Sequence, residues 1–244
     1  MKEGFIHVCF VIDKSGSMYS SSSDVVGGFK RIVEEQKAVK DGTCAVSLYT
    51  FASKVEEVYL GKDINDIDST LQYHADGLTA MNDGIGMAID KVGKWLSDMK
   101  EEDRPEKNLI VIMTDGQENN SVEYSIDRVR DMIKEQTEKY NWSFMYLGTD
   151  ITDTTYADTL GVMKGISTRS NYSDNYTLVN SLVTEFRGDQ GPAVEKYAKF
   201  CASMNESLDL MNAKYAEDTG INITTVADTV NKTVITKNVN DPKK

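Results

Sequence analysis

The chain has 244 residues, 40% of them hydrophobic, and a formal charge of −12. That length and apolar content support one domain with a substantial core and room for an appendage. The charge excludes a general nucleic-acid or anionic-membrane binder, whose phosphates would repel the surface, and suits a cation or a basic partner. Three cysteines, Cys9, Cys44 and Cys201, lie far apart with no disulfide framework or zinc spacing, which favours a reducing compartment. The N-terminal stretch MKEGFIHVCFVIDKSG carries an early acid and an apolar run too short for a signal peptide or a membrane span, so the expected location is the cytoplasm.

Phe5 to Ile12 reads as a central strand, apolar on both faces as a covered parallel strand should be. It stops at Asp13, and Asp13, Ser15 and Ser17 then alternate, so a bending loop can turn their oxygens to one point. Only oxygens are on offer and only one is charged, which suits a hard cation such as Mg2+, Ca2+ or Mn2+. One carboxylate and two hydroxyls cannot fill an octahedral shell, so the rest of the chain must complete it. Tyr19 to Ser23 reads as a serine-rich loop. Asp24 to Lys40 reads as a helix with Val25, Phe29, Ile32 and Gln36 on one face, and a close approach to the sheet would explain Gly27 and Gly28. Cys44 to Ala52 and Val55 to Leu60 are strands joined so tightly that they form an antiparallel hairpin at a sheet edge.

Gly61 to Asp76 is polar, with a short helix or loop near Ile64 to Leu71. Ala80 to Met99 carries the most continuous apolar stripe, from Met81 through Ile85, Ile89, Val92 and Leu96, and its glycines Gly84, Gly86 and Gly93 suggest tight packing. Leu109 to Thr114 is a second buried strand ending in an acid and a glycine, Asp115-Gly116. Ser125 caps a helix to Lys139. Ser143 to Gly148 is a strand, Thr152 to Leu160 a short helix, and Gly165 to Ser167 a brief last strand. Ser173 caps a helix to Arg187. Strands alternating with helices make a doubly wound α/β domain. In such open sheets ligands collect at the carboxyl ends of the strands, where Asp13 and Asp115 both sit and where Thr79 joins them if its helix starts at the same rim.

Asp13-x-Ser15-x-Ser17, a Gly-x-Thr ending at Thr79, and Thr114-Asp115-Gly116 together resemble the metal-ion-dependent adhesion site of von Willebrand factor type A domains. The resemblance covers Lys2 to Arg187 and is nearest to small stand-alone bacterial or phage members, with Gly27-Gly28-Phe29, Arg104-Pro105-Glu106-Lys107 and Glu118-Asn119 as supporting details. It implies a Rossmann-like, mostly parallel six-stranded sheet in the order 3-2-1-4-5-6, with the third strand antiparallel, flanked by helices. It also implies an Mg2+ or Mn2+ ion. Ser15 and Ser17 would bind it directly, Thr79 directly or through water, and Asp13 and Asp115 mainly through water and hydrogen bonds. Hydroxyl-rich coordination leaves the cation under-neutralised, so a protein partner's Asp or Glu would complete the shell. The expected function is a non-catalytic protein-interaction module that binds neither nucleic acid nor membrane.

Residues 188–217 form a separate C-terminal helix. Val194, Tyr197, Cys201, Met204, Leu208, Met211 and Tyr215 repeat at alternating three and four, a heptad seam. Either this seam lies across the chain's own α/β domain, the favoured reading, or it pairs with another copy. Residues 218–244 are a polar, β-branched tail without a clear period, read as flexible or as a strand recruited by a partner.

Two other functions compete. An Mg2+-dependent phosphohydrolase also uses an aspartate after its first strand. It needs a second acid or a lysine close by, however, and here a serine occupies that place while Lys14 alternates away. A self-associating scaffold would make the heptad helix primary. His7 reads as a strand side chain, His74 as a loop residue and Cys44 as a core thiol. Arg187-Gly188-Asp189 spells a tripeptide that integrins recognise, a coincidence in a chain with no export signal.

Overall fold

A computed structural model describes residues 1–149, 151–166 and 172–221. Ser167 and the tail from 222 onward lie outside the described residues, as do the side chains of Val194 and Tyr197. The strands are β1 (Lys2–Asp13), β2 (Thr43–Phe51), β3 (Val55–Asp63), β4 (Pro105–Met113), β5 (Ser143–Gly148) and β6 (Met163–Ile166). The helices are α1 (Ser22–Ala38), α2 (Met81–Asp98), α3 (Ile126–Tyr140), α4 (Ile151–Leu160), α5 (Ser173–Gly188) and α6 (Ala193–Thr219). The sheet order is β3-β2-β1-β4-β5-β6, as the family resemblance implies, and it is parallel throughout except for the β2–β3 hairpin at the edge, which the short turn predicts.

The central strands are buried on both faces, and their period of two divides the core. Ile6, Val8, Phe10 and Ile12 of β1, with Leu109, Val111 and Met113 of β4, pack under α1, α5 and α6. Cys9 and Val11, with Ile110 and Ile112, pack under α2, α3 and α4. Edge strand β3 has no buried residue and exposes Glu56, Glu57 and Lys62, charges that discourage further strand pairing.

Several local expectations are corrected. Gly16–Ser21 is a 3-10 helix leading straight into α1, not a loop. Buried Met18 anchors it, and the Ser22 hydroxyl donates to the Met18 carbonyl at 3.1 Å. Helix α1 ends at Ala38 because the Arg187 guanidinium takes the carbonyls of Gln36 at 2.7 Å and Val39 at 3.2 Å. That buried role removes Arg187 from any exposed recognition tripeptide. Ser173 makes no capping bond; the residue before α5 is Tyr172, already in helical conformation. Gly28 yields not to the sheet but to α5, since a Cβ there would stand 2.2 Å from the Tyr176 ring, while Gly27 and Gly93 face open space. Gly84 and Gly86 do lie tight, against Phe51 and Tyr124.

Helix α6 lies on the sheet. Cys201, Met204, Leu208 and Tyr215 of its seam are buried, and a Cβ on Gly165 of β6 would meet Leu208 at 2.6 Å and Met211 at 2.9 Å. Its first turn is held by Lys196, whose buried ammonium reaches Glu106 at 2.8 Å. The seam therefore takes the first of its two readings.

Candidate metal centre

Three loops meet where β1 and β4 end. The first leaves β1 at Asp13, whose carboxylate is fully buried and held at both oxygens. The Ser15 N–H donates to Oδ1 at 2.7 Å and the Thr114 hydroxyl to Oδ2 at 2.6 Å. The sharp turn this imposes brings the Ser15 and Ser17 hydroxyls within 3.1 Å of each other. Ser15 is buried and Ser17 exposed, so the pair opens to solvent on one side.

The second loop precedes α2. Gly77, at φ +82°, turns the chain in a region that other residues rarely adopt. Backbone bonds from Asp76 N–H to the Lys14 carbonyl at 2.9 Å and from Gly16 N–H to the Gly77 carbonyl at 3.1 Å lock it to the first loop. Thr79 then lies buried at the rim. Its N–H donates to the Asn119 side-chain carbonyl at 2.9 Å, and the Asn119 N–H donates back to the Thr79 carbonyl at 3.0 Å.

The third loop follows β4. Its Gly116 N–H donates to the Thr114 hydroxyl at 3.1 Å. Asp83 in the first turn of α2 accepts the N–H groups of Val122, Glu123 and Tyr124 at 2.8 to 2.9 Å, and Glu118 accepts that of Asn82 at 2.8 Å. Asp83 is thus a clamp on this loop, which wraps the start of α2.

The space beside Gly116 shows how the pieces converge. A Cβ placed there would lie 3.1 Å from Ser17 Oγ, 3.6 Å from Thr79 Oγ1 and 3.7 Å from Asp13 Oδ2, two oxygens from the motif's first segment and one from its second. Asp115 is buried alongside, close enough for its charge to act on Asp13. Burial raises the Asp13 carboxyl to about 6; hydrogen bonds from Thr114 and Ser15 oppose this and the Asp115 charge adds to it. Two acids buried side by side are the setting in which a divalent cation is favoured. Among the described residues no group of three or more His, Cys, Asp or Glu could hold a metal ion, so an ion here depends on the hydroxyls. The donor set therefore fits a hard, oxygen-preferring cation.

Lys14 points away, its ammonium 2.6 Å from Glu56. His7 is a strand side chain as expected, bonded to Ser47 at 2.8 Å and Asn108 at 3.1 Å on the α2 side of the sheet. His74 is exposed. Cys44 is buried, its thiol pushed up to about 12 by burial. Sequence reasoning missed Tyr73, whose hydroxyl donates to the Asp13 carbonyl at 2.5 Å from an irregular segment with no periodic signal. Asn119 was visible only as a neighbour of the third motif piece.

The family model of the von Willebrand factor type A domain matches residues 7–185. No match is found among curated proteins. The fold is similar to a von Willebrand factor type A protein from Catenulispora acidiphila, with TM-score 0.53, 16% identity and coverage of 73% of this chain and 42% of that one. It is similar to proximal thread matrix protein 1 from the mussel byssus "with zinc occupied MIDAS motif", with TM-score 0.52, 18% identity and coverage of 75% and 46%. It is also similar to the vWF domain of the type V pili tip protein Mfa5 from Porphyromonas gingivalis, with TM-score 0.56, 10% identity and coverage of 77% and 97%. The chain thus spans less than half the length of the first two, and at these identities the likeness is one of fold.

Proposed function

We propose that this chain, which belongs to the von Willebrand factor type A domain family of protein-interaction modules, is a non-catalytic, metal-dependent binding module. Its ion, Mg2+ or Mn2+, is held by Asp13, Ser15, Ser17, Thr79 and Asp115, and a carboxylate from a protein partner completes the shell. The observation that carries this reading is the ring of oxygens from Ser17, Thr79 and Asp13 around one point beside Gly116.

The residues divide the work by what already occupies them. Both Asp13 oxygens accept hydrogen bonds from the chain, so this acid shapes the loop and balances charge through water. The adjacent hydroxyls of Ser15 and Ser17 would be the direct ligands, with Thr79 binding directly or through water. Neutral hydroxyls leave much of the ion's charge uncompensated, which gives the bound ion its affinity for an outside carboxylate. The zinc-occupied site named for the mussel protein supports a divalent ion in this fold. The diversion of Lys14 to Glu56 takes away the cationic group that a phosphohydrolase reading would use beside Asp13. Three free, buried cysteines support a reducing, cytoplasmic setting. No helix among the described residues is long and apolar enough to cross a membrane.

Calorimetric titration of Mg2+ and Mn2+ into the full chain, beside a Ser15→Ala/Ser17→Ala variant, tests the reading. One site in the parent and none in the variant is the expected result. A parent that binds neither ion at millimolar concentration, or a variant that binds as well as the parent, would sink it.

A further inference from the structure

A cavity of about 630 Å3 opens between α2 and α3 at the amino edge of the sheet, the end opposite the metal centre. Its volume falls in the range of ~300–1,000 Å3 usual for ligand clefts. Asn108 of β4 and Trp142, which leads into β5, line its sheet side. The register pairs Leu109 with Ser143, so these two stand side by side on adjacent strands. Ile89 and Leu96 of α2 and Tyr140 at the end of α3 supply apolar walls. The Tyr124 ring packs tightly against α2 at Gly86, but two turns on, at Gly93, a Cβ would meet nothing within 4 Å. Gly93 lines the cavity and keeps it open because it has no side chain.

The polar groups on the sheet side are donors. The Asn108 carbonyl oxygen can only accept, so His7 Nδ1 donates to it at 3.1 Å, and the neutral imidazole accepts the Ser47 hydroxyl at Nε2 at 2.8 Å. This occupies the Asn108 oxygen and leaves its amide nitrogen. Among the described residues neither that nitrogen nor the Trp142 indole N–H has a hydrogen-bond partner, and both residues are more than nine-tenths buried. The charged side chains on the lining cancel: Asp90 and Glu101 oppose Arg104 and Lys139. Asp90 already accepts the Tyr124 hydroxyl at 2.7 Å, and Lys139 already donates to Glu135 at 2.7 Å.

We propose that this cavity binds a small, uncharged, planar aromatic molecule carrying a carbonyl or ring-nitrogen acceptor. The ring system lies between the helices against Ile89 and Leu96, and the acceptor takes the N–H groups of Asn108 and Trp142. A hydrocarbon of the same shape leaves both donors unpaired. An anion gains no net charge from the lining and meets the −12 of the whole chain. Asn108 lies about 17 Å along β4 from Met113 at the metal end, so this site stands or falls independently of the metal reading.

The test titrates three probes into the full 15N-labelled chain: coumarin, a neutral bicycle with a carbonyl; naphthalene, a bicycle without an acceptor; and coumarin-3-carboxylate, an anion. Coumarin is expected to bind at least about fivefold more tightly than either of the others and to shift the Asn108 side-chain and Trp142 indole N–H signals. Gly93→Leu fills the space and gives α2 a better helix former, so it should abolish coumarin binding with thermal stability kept or raised. Trp142→Phe removes the indole N–H and should lower coumarin affinity about fivefold while naphthalene affinity stays unchanged. No coumarin binding at millimolar concentration, naphthalene or the carboxylate binding as tightly as coumarin, or coumarin binding that survives Gly93→Leu overturns the proposal. Should Gly93→Leu not fold, Trp142→Phe decides: an equal change for coumarin and naphthalene, or none for coumarin, overturns it.

Discussion

Gly116 leaves open the point on which the Ser17, Thr79 and Asp13 oxygens converge. A methyl group there would press on Ser17 Oγ from 3.1 Å, and because Ser17 is exposed its hydroxyl can rotate away. The expected result of Gly116→Ala is a folded protein whose ion affinity falls about tenfold, ~1.4 kcal/mol. Thermal unfolding and calorimetry check the two halves, and unchanged affinity would remove Gly116 from the account. His7 makes a separate prediction. Burial lowers its imidazole from 6.5 to about 4, with the Asn108 hydrogen bond acting the other way. The unfolded chain therefore takes up the proton first. Stability is full above pH 6.5 and is lost as pH falls toward 4, by about 3 kcal/mol. Urea midpoints at pH 7.5 and 4.5 should drop further for the parent than for His7→Gln, and parallel drops would contradict the assignment. The alternation of Asp13, Ser15 and Ser17 could be read from spacing alone. Tyr73 could not, because it reaches Asp13 from a segment with no periodicity, and neither could Asp83, whose partners lie some 40 residues away.

At the scale of elements, apolar runs and stripes were enough to find the strands and helices, and a hairpin too tight for a crossover fixed the edge. Helix ends were less legible because their partners are tertiary. The end of α1 is decided by Arg187 on α5, and the start of α5 needs no serine cap. Glycines in α1 and α2 signalled tight packing correctly at three positions, Gly28, Gly84 and Gly86, but the partner at Gly28 is another helix, not the sheet. The heptad seam of α6 left two readings because spacing shows a face and not what covers it. Its attachment makes a prediction. Lys196 is enclosed, with its ammonium 2.8 Å from Glu106 and 4.8 Å from the centre of the Phe186 ring. Lys196→Met keeps most of the stem but leaves the Glu106 charge without its cation, and should cost about 3 kcal/mol in urea denaturation. A loss under ~0.5 kcal/mol, the range of ordinary surface substitutions, would mean that α6 is not anchored there.

For the whole molecule, the two core layers leave the carboxyl edge of the sheet as the place where a buried acid pair meets the hydroxyls of buried Ser15 and Thr79 and exposed Ser17. With the seam of α6 turned onto its own sheet, self-association loses its main driving surface. Sedimentation at high protein concentration should therefore return the 27.2 kDa mass of one chain, and a stable dimer would restore the alternative seam reading. The most direct test of the central claim is paramagnetic broadening by substoichiometric Mn2+ in the amide spectrum of the full chain. The account predicts that signals of residues 14–18, 77–80 and 115–118 vanish first and that Ser15→Ala/Ser17→Ala abolishes the effect. Broadening that spreads over the acidic surface, or that survives in the variant, would contradict a metal centre built on these three loops.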